Sequence, residues 1–247
     1  MAGLIERSDA EGVAVLCLNR PEVLNALSPK LFEELRAHVD RLAGEADSVG
    51  CVVLRGAGRS FSAGNDLRAI QAGARAPSAH FQAETLDRLE RLPQPVIASV
   101  QGHCYTGALE LVLACDLLVA AESARFADTH GKWGMTPTWG MSQRLPRRIG
   151  PLHAKELMWT GRAVSGAEAF AIGLANHCVP DAELESRTLA LAREIAANSW
   201  FTLRTEKQLL RGGEALALAD ALAFERANSP GAGPDMPERL ANFGKRG

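Results

Sequence analysis

Short, wholly apolar strands alternating with longer helical stretches predict an α/β fold for this chain of 247 residues. Three observations carry that expectation. Cys51-Val52-Val53-Leu54 and Pro95-Val96-Ile97-Ala98-Ser99-Val100 are nearly continuous apolar runs without a polar face, as in strands covered on both sides. Leu31, Phe32, Leu35, Val39 and Leu42 recur at helical spacing and keep one face apolar. Residues 108–115 read as a helix that is apolar all round, which belongs inside a protein. A chain of this length can bury such elements in one domain.

In order, residues 4–18 read as two short strands turning at Glu11-Gly12, and 19–27 as a loop. Ser28-Pro29 is a helix start, a hydroxyl cap followed by proline at the first helical position, and Gly44 ends that helix. Residues 68–82 are polar, rich in Gly and Ala and aperiodic, which suggests a mobile segment over a site. Helix returns over 81–92 and stops at Pro93. Residues 116–121 are another buried strand, and a further short one starts at 124–126. Beyond Gly150 the chain turns helical: 151–160 closes at Gly161, and Ser165-Gly166-Ala167-Glu168 matches a capping box. Residues 174–179 are extended, Asp181 caps a helix to about Asn198, and helical segments cover 200–211 and 214–228. A linker at 229–234 precedes a short helix whose basic end, Lys245-Arg246, reads as a frayed terminus.

A net charge of −2 provides no electrostatic footprint for nucleic acid. No apolar run is long enough to span a membrane, and charges near the N-terminus stand where a signal peptide needs an apolar core, so a soluble, cytoplasmic protein is expected. The five cysteines show no CxxC spacing and fit buried free thiols of a reducing compartment. His103-Cys104 raises a Cys–His nucleophile, but adjacent residues rarely face each other, and no ligand cluster accompanies them for zinc.

The chain is organised around residues 100–116, VQGHCYTGALELVLACD. Gly102 and Gly107 bracket a tight connection, and Glu110 is the one charge in the apolar helix that follows. Burying a carboxylate costs several kcal/mol unless it is paired or neutralised. It either pairs with a buried Arg or Lys, or it is a catalytic carboxylate whose pKa the apolar setting raises. Gly107 favours chemistry, because a free backbone N–H at a helix start can hold developing negative charge. Upstream, Ser62-Ala63-Gly64-Asn65-Asp66 forms a glycine turn whose N–H groups suit an anion. Gly56-Ala57-Gly58 is not a dinucleotide fingerprint, because Phe61 stands where the third glycine is needed.

Together these motifs resemble the crotonase superfamily, the enoyl-CoA hydratases and isomerases. The resemblance rests on residues 61–67 (FSAGNDL), Gly107-x-x-Glu110, Cys115-Asp116, residues 19–27 (NRPEVLNAL), and Pro137 followed by Gln143-Arg144-Leu145, and it covers essentially the whole chain. It implies a crotonase-like spiral of repeated strand–strand–helix turns over residues 1–195, followed by a helical oligomerisation region over 196–247 that packs trimers or hexamers. It implies an acyl-CoA thioester substrate, with coenzyme A part of the substrate and no separate cofactor or metal. It also implies an oxyanion hole of the Asn65 and Gly107 N–H groups. Glu22, Val23 and Leu24 would lie along the coenzyme A chain, with Ala63, Gly64, Asp66, Leu67 and Arg68 also at the substrate.

Hydratases of the resembled family usually carry a second glutamate where His130 falls. Histidine can shuttle protons at neutral pH, or it can be hydrogen-bonded in a loop without chemistry. Asp128 either orients His130 or is a turn residue. Trp133, Met135, Trp139 and Met141 crowd this stretch, where they line an acyl pocket or pack the core; Trp139 stands where relatives often have a small residue. The resulting expectation is an enoyl-CoA hydratase with Glu110 and His130 exchanging the protons. An isomerase and a non-catalytic acyl-CoA-binding member are the alternatives. The second of these requires Glu110 to be neutralised by an arginine.

Overall fold

The chain opens with a hairpin whose second strand seeds a parallel sheet, as seen in a computed structural model that describes residues 3–243. β1 (Ile5–Ala10) pairs antiparallel with β2 (Val13–Leu18) across the Glu11-Gly12 turn. α1 (Pro29–Ala43) starts as its sequence predicts: the Ser28 hydroxyl accepts from the Leu31 N–H at 3.2 Å, and Gly44 caps the end. β3 (Cys51–Gly56) follows, then α2 (Leu67–Gln71), α3 (Phe81–Glu90) and β4 (Val96–Val100). α2 falls in the aperiodic stretch that showed no helical pattern. Its signal is local, since the Asp66 carboxylate accepts from the Ala69 N–H at 3.0 Å and caps a helix too short to show a period.

β5 (His103–Tyr105) leads into α4 (Gly107–Leu113), and β6 (Leu117–Ala121) into β7 (Arg125–Ala127). α5 (Met141–Ile149), α6 (Pro151–Thr160), β8 (Val164–Ser165), α7 (Gly166–Ala171) and β9 (His177–Val179) complete the sheets, with the Ser165 hydroxyl capping α7 at the Glu168 N–H. α8 (Leu184–Ala196), α9 (Trp200–Gly213), α10 (Leu218–Asn228) and α11 (Met236–Ala241) form the helical end; Lys245 and Arg246 lie outside the described residues.

The main sheet has the order β1-β2-β3-β4-β6-β9, parallel from β2 onward, and a second sheet has the order β5-β7-β8. Each turn of the chain leaves one strand in the first sheet and the next in the second before a helix returns: β4–β5–α4, then β6–β7–α5. Single bridges Leu27↔Asn65 and Ser62↔Cys104 continue the second ladder through the loops after β2 and β3. That is a spiral of strand–strand–helix turns. β5 lies in what reads as a tight connection, since its three residues become a strand only by pairing with β7.

Both faces of the main sheet are covered, which is why its strands lack alternation. Val52 and Leu54 face the larger core with α1 and α4, whereas Cys51 and Val53 face a smaller core under α8. Among the contacts that fasten the helical end, one is a largely buried ion pair. Lys207 of α9 donates to the Asp116 carboxylate at 2.6 Å and to the Gln94 carbonyl at 2.9 Å, and Asp116 also accepts from the Val96 N–H at 2.7 Å.

Candidate active site

The spiral brings the ends of three turns together. The loop after β3 is stitched to the segment before α4: Tyr105 N–H donates to the Ser62 carbonyl, Ser62 N–H to the His103 carbonyl, and the Ser62 hydroxyl accepts from Gly64 N–H. Gly64 has φ +94°, and a Cβ there would lie 2.4 Å from the Tyr105 carbonyl and 3.7 Å from the Gly107 nitrogen. Only glycine allows this approach. Leu27 N–H takes the Gly64 carbonyl and Asp66 N–H takes the Leu27 carbonyl, so the intervening Asn65 N–H points away from that ladder. Gly107 N–H is the first donor of α4, ahead of any intrahelical acceptor. The two N–H groups therefore flank one space.

Thr106, between β5 and α4, is held at φ +53°, ψ −109°, outside the ordinary regions for a β-branched residue. Its N–H donates to the Ala127 carbonyl, and its hydroxyl accepts from Thr129 N–H while hydrogen-bonding the Thr129 hydroxyl. These bonds tie the start of α4 to the segment that carries His130. The sequence holds no signal for this role, because an unusual φ at threonine is imposed from outside.

Glu110 is 1% exposed. Its Oε1 accepts from Trp139 N–H at 2.9 Å and Met141 N–H at 3.0 Å, leaving Oε2 3.9 Å from His130 Nε2. Among the described residues no arginine or lysine pairs with it, so the arginine that a non-catalytic reading required is not there. His130 Nδ1 lies 2.7 Å from Asp128 Oδ1, which also accepts the His130 backbone N–H at 3.1 Å. Asp128 is 1% exposed, and it thus orients His130. With Nδ1–H given to Asp128, Nε2 faces Glu110.

Burial pushes the Glu110 carboxyl above the ordinary carboxylate range, against the opposing pull of Met141 N–H, the charge of His130 and Trp139 N–H. Burial opposes the charged form of His130 too, but the hydrogen bond to Asp128 and the charges of Asp128 and Glu110 outweigh it, so its pKa lies above the usual histidine value.

A cavity of about 90 Å³ is lined by Asn65, Thr106, Gly107, Glu110, His130, Met135, Thr136, Thr138 and Trp139. Trp133, expected to line an acyl pocket, does not: its side chain is 62% exposed on the turn after His130, because a four-residue helical turn directs it outward. Met141 is fully buried in the core and contributes only its N–H. Asp66 is buried, paired with Arg20 at 2.9 Å and bonded to the start of α2 as its cap. Glu22 is exposed, while Val23 and Leu24 are half-buried on the turn Pro21–Val23 and its cap. Ala63 N–H donates to the Leu24 carbonyl, which sets this turn beside the exposed Ala63; Leu67 is half-buried and Arg68 exposed at the start of α2.

Cys104 is not a nucleophile: it is fully buried, burial pushes its thiol well above the ordinary value, and His103 Nδ1 is engaged with the Ser60 hydroxyl at 3.1 Å. Among the described residues no three His, Cys, Asp or Glu side chains gather as metal ligands.

The spiral thus sets two backbone N–H groups, unpaired among the described residues, beside a buried carboxylate, an arrangement chemically suited to proton transfer next to developing negative charge. The enoyl-CoA hydratase/isomerase family model matches residues 8–230, and the chain belongs to that family. It is 34% identical to a short-chain-enoyl-CoA hydratase of Clostridium acetobutylicum over 217 residues, 86% of this chain and 83% of that one. A crystal structure of enoyl-CoA hydratase from Bacillus anthracis superposes with a TM-score of 0.91 at 36% identity, covering 98% and 96% of the two chains. An enoyl-CoA hydratase of Mycobacterium smegmatis gives 0.89 at 30% identity, with 98% and 96% covered.

Proposed function

We propose that the protein is an enoyl-CoA hydratase that reversibly adds water to a 2-enoyl-CoA thioester. The observation that carries this reading is the 3.9 Å gap between Glu110 Oε2 and His130 Nε2 in a cavity beside the Asn65 and Gly107 N–H groups. One water oxygen can lie within about 2.8 Å of both side-chain atoms. Glu110 takes a proton from that water as its oxygen bonds to the β-carbon. Electron density moves to the thioester oxygen, which the two N–H groups hold, each such donor being worth about 2.7–4 kcal/mol of barrier. His130, as the imidazolium, gives its Nε2 proton to the α-carbon, and the proton on Glu110 then passes to His130 to reset the pair. Burial strengthens Glu110 as a base, and the hydrogen bond and charge of Asp128 favour the charged form of His130 that the acid step needs.

The same reading extends to assembly and location. Leu210 and Leu218 are each 75% exposed on α9 and α10, and such apolar surface supports a trimer or hexamer built through residues 196–247. No helix among the described residues is long and apolar enough to cross a membrane, and five free cysteines suit the cytoplasm. The test is incubation with a 2-enoyl-CoA in ¹⁸O-water, read by mass. A 3-hydroxyacyl product carrying the label supports hydration; a double bond moved without label uptake supports an isomerase. Light scattering on the eluting protein reads the oligomer.

A further inference from the structure

The cavity holds only about 90 Å³. On the hydratase reading, the thioester carbon must sit against the Asn65 and Gly107 N–H groups, with the α- and β-carbons between Glu110 and His130. What remains ahead is a wall of Met135, Thr136, Thr138 and Trp139.

Beyond that wall lies far more space. A groove of about 980 Å³ runs between α3, α5 and α9; its rim is charged, with Asp87, Glu90, Arg144 and Arg147, and Ala83, Leu113 and Ala114 supply its apolar part. Thr138 and Trp139 are the two residues common to cavity and groove. The indole is firmly held. Its Cζ3 lies 2.5 Å from where a Cβ on Gly107 would be, and its ring meets Phe32 edge-on at 5.0 Å between centroids. Its backbone is pinned at both ends, the N–H on Glu110 and the carbonyl on Arg144 Nη1 at 2.7 Å, with Arg144 in turn bound by Asp87 and Glu90.

We infer that Trp139 closes the acyl end of the site, confining substrates to short enoyl thioesters, and that a smaller side chain at 139 lets a longer acyl chain reach the apolar part of the groove behind it. The inference rests on the hydratase reading for its chemistry but not for its geometry. A backbone N–H serves Glu110 from any residue at 139, so replacing the indole changes the wall without removing that bond.

The experiment compares kcat/KM for 2-enoyl-CoA esters of four, six, eight and ten carbons in the native protein, Trp139→Ala and Trp139→Leu. The native protein loses about 10-fold or more between four and six carbons, the scale of one or two methylenes that do not fit. In Trp139→Ala the ten-carbon to four-carbon ratio rises at least about 10-fold, and Trp139→Leu moves it the same way by less, which keeps the test usable if the alanine variant does not fold. Calorimetric binding of butyryl- and decanoyl-CoA, which carry no double bond, measures the wall without turnover. If no enoyl ester is hydrated but the binding ratio shifts with residue 139, the hydratase reading fails and the wall stands. If the native protein takes ten-carbon esters as well as four-carbon ones, or the ratio ignores residue 139, the inference is overturned.

Discussion

Glu110→Gln isolates the proposed base with the least disturbance the fold allows. A glutamine carbonyl can accept the same two N–H groups, Trp139 at 2.9 Å and Met141 at 3.0 Å, that hold Oε1. Its amide then replaces Oε2, the atom 3.9 Å from His130 Nε2 and the only one free to take a proton. The variant therefore folds, and hydration of crotonyl-CoA falls at least about 10²-fold, or about 2.7 kcal/mol of barrier. Stability provides an independent check of sign. Because burial raises the folded-state pKa of Glu110, the native state holds the proton to higher pH than the unfolded chain does. The Glu110 contribution is therefore present below the ordinary carboxylate value and is lost as pH rises through the raised one. Glutamine does not titrate, so its melting temperature relative to the native protein should climb from pH 4 to pH 8. His130 should also titrate lower in the variant, since the charge of Glu110 is one of the influences that raise it; this is measurable from the imidazole resonances. Near-native turnover would remove Glu110 from the mechanism, and a melting difference that shrank with pH would refute the argument that its carboxyl is raised by burial.

His130→Ala should cost about 10²-fold in rate and flatten the alkaline limb of the pH profile, while Asp128→Asn should move that limb to lower pH by weakening the support that raises the imidazole. Since the pair is coupled, both limbs report macroscopic values. Asn65→Ala should keep most activity, because only its backbone is used, whereas Gly107→Val should abolish it. A Cβ on Gly107 meets the Trp139 ring at 2.5 Å, so the near-ultraviolet spectrum of Gly107→Val should show a displaced tryptophan. Lys207→Met should leave the Gln94 carbonyl unpartnered and the Asp116 carboxylate with only Val96 N–H of its two bonds, lowering unfolding stability by about 1–3 kcal/mol in a urea titration with little change in kcat.

Local chemistry alone determined much of this protein. The Ser28-Pro29 start of α1, the Ser165 cap of α7 and the largely apolar runs of β3, β4 and α4 follow from nearest neighbours and periodicity, which the chain carries with it. Glu110 was legible for the same reason: one charge in an apolar helix must be answered by something. Other features required distant segments to meet. β5 is a strand only against β7, α5 had no announced boundary, and Thr106 takes a positive φ because Ala127 and Thr129 hold it. The pairing of Glu110 with His130 was expected only from the family resemblance, since the two lie twenty positions apart and it is the paired loops of the spiral that bring the side chains to 3.9 Å. The fold likewise separates two tryptophans six residues apart. Trp133 leaves on the outer side of a helical turn and is exposed, whereas Trp139 folds back onto Gly107 and Phe32. Their surroundings in sequence are alike; which one meets the cavity depends on the direction of the backbone after His130, and that direction is set by tertiary contacts.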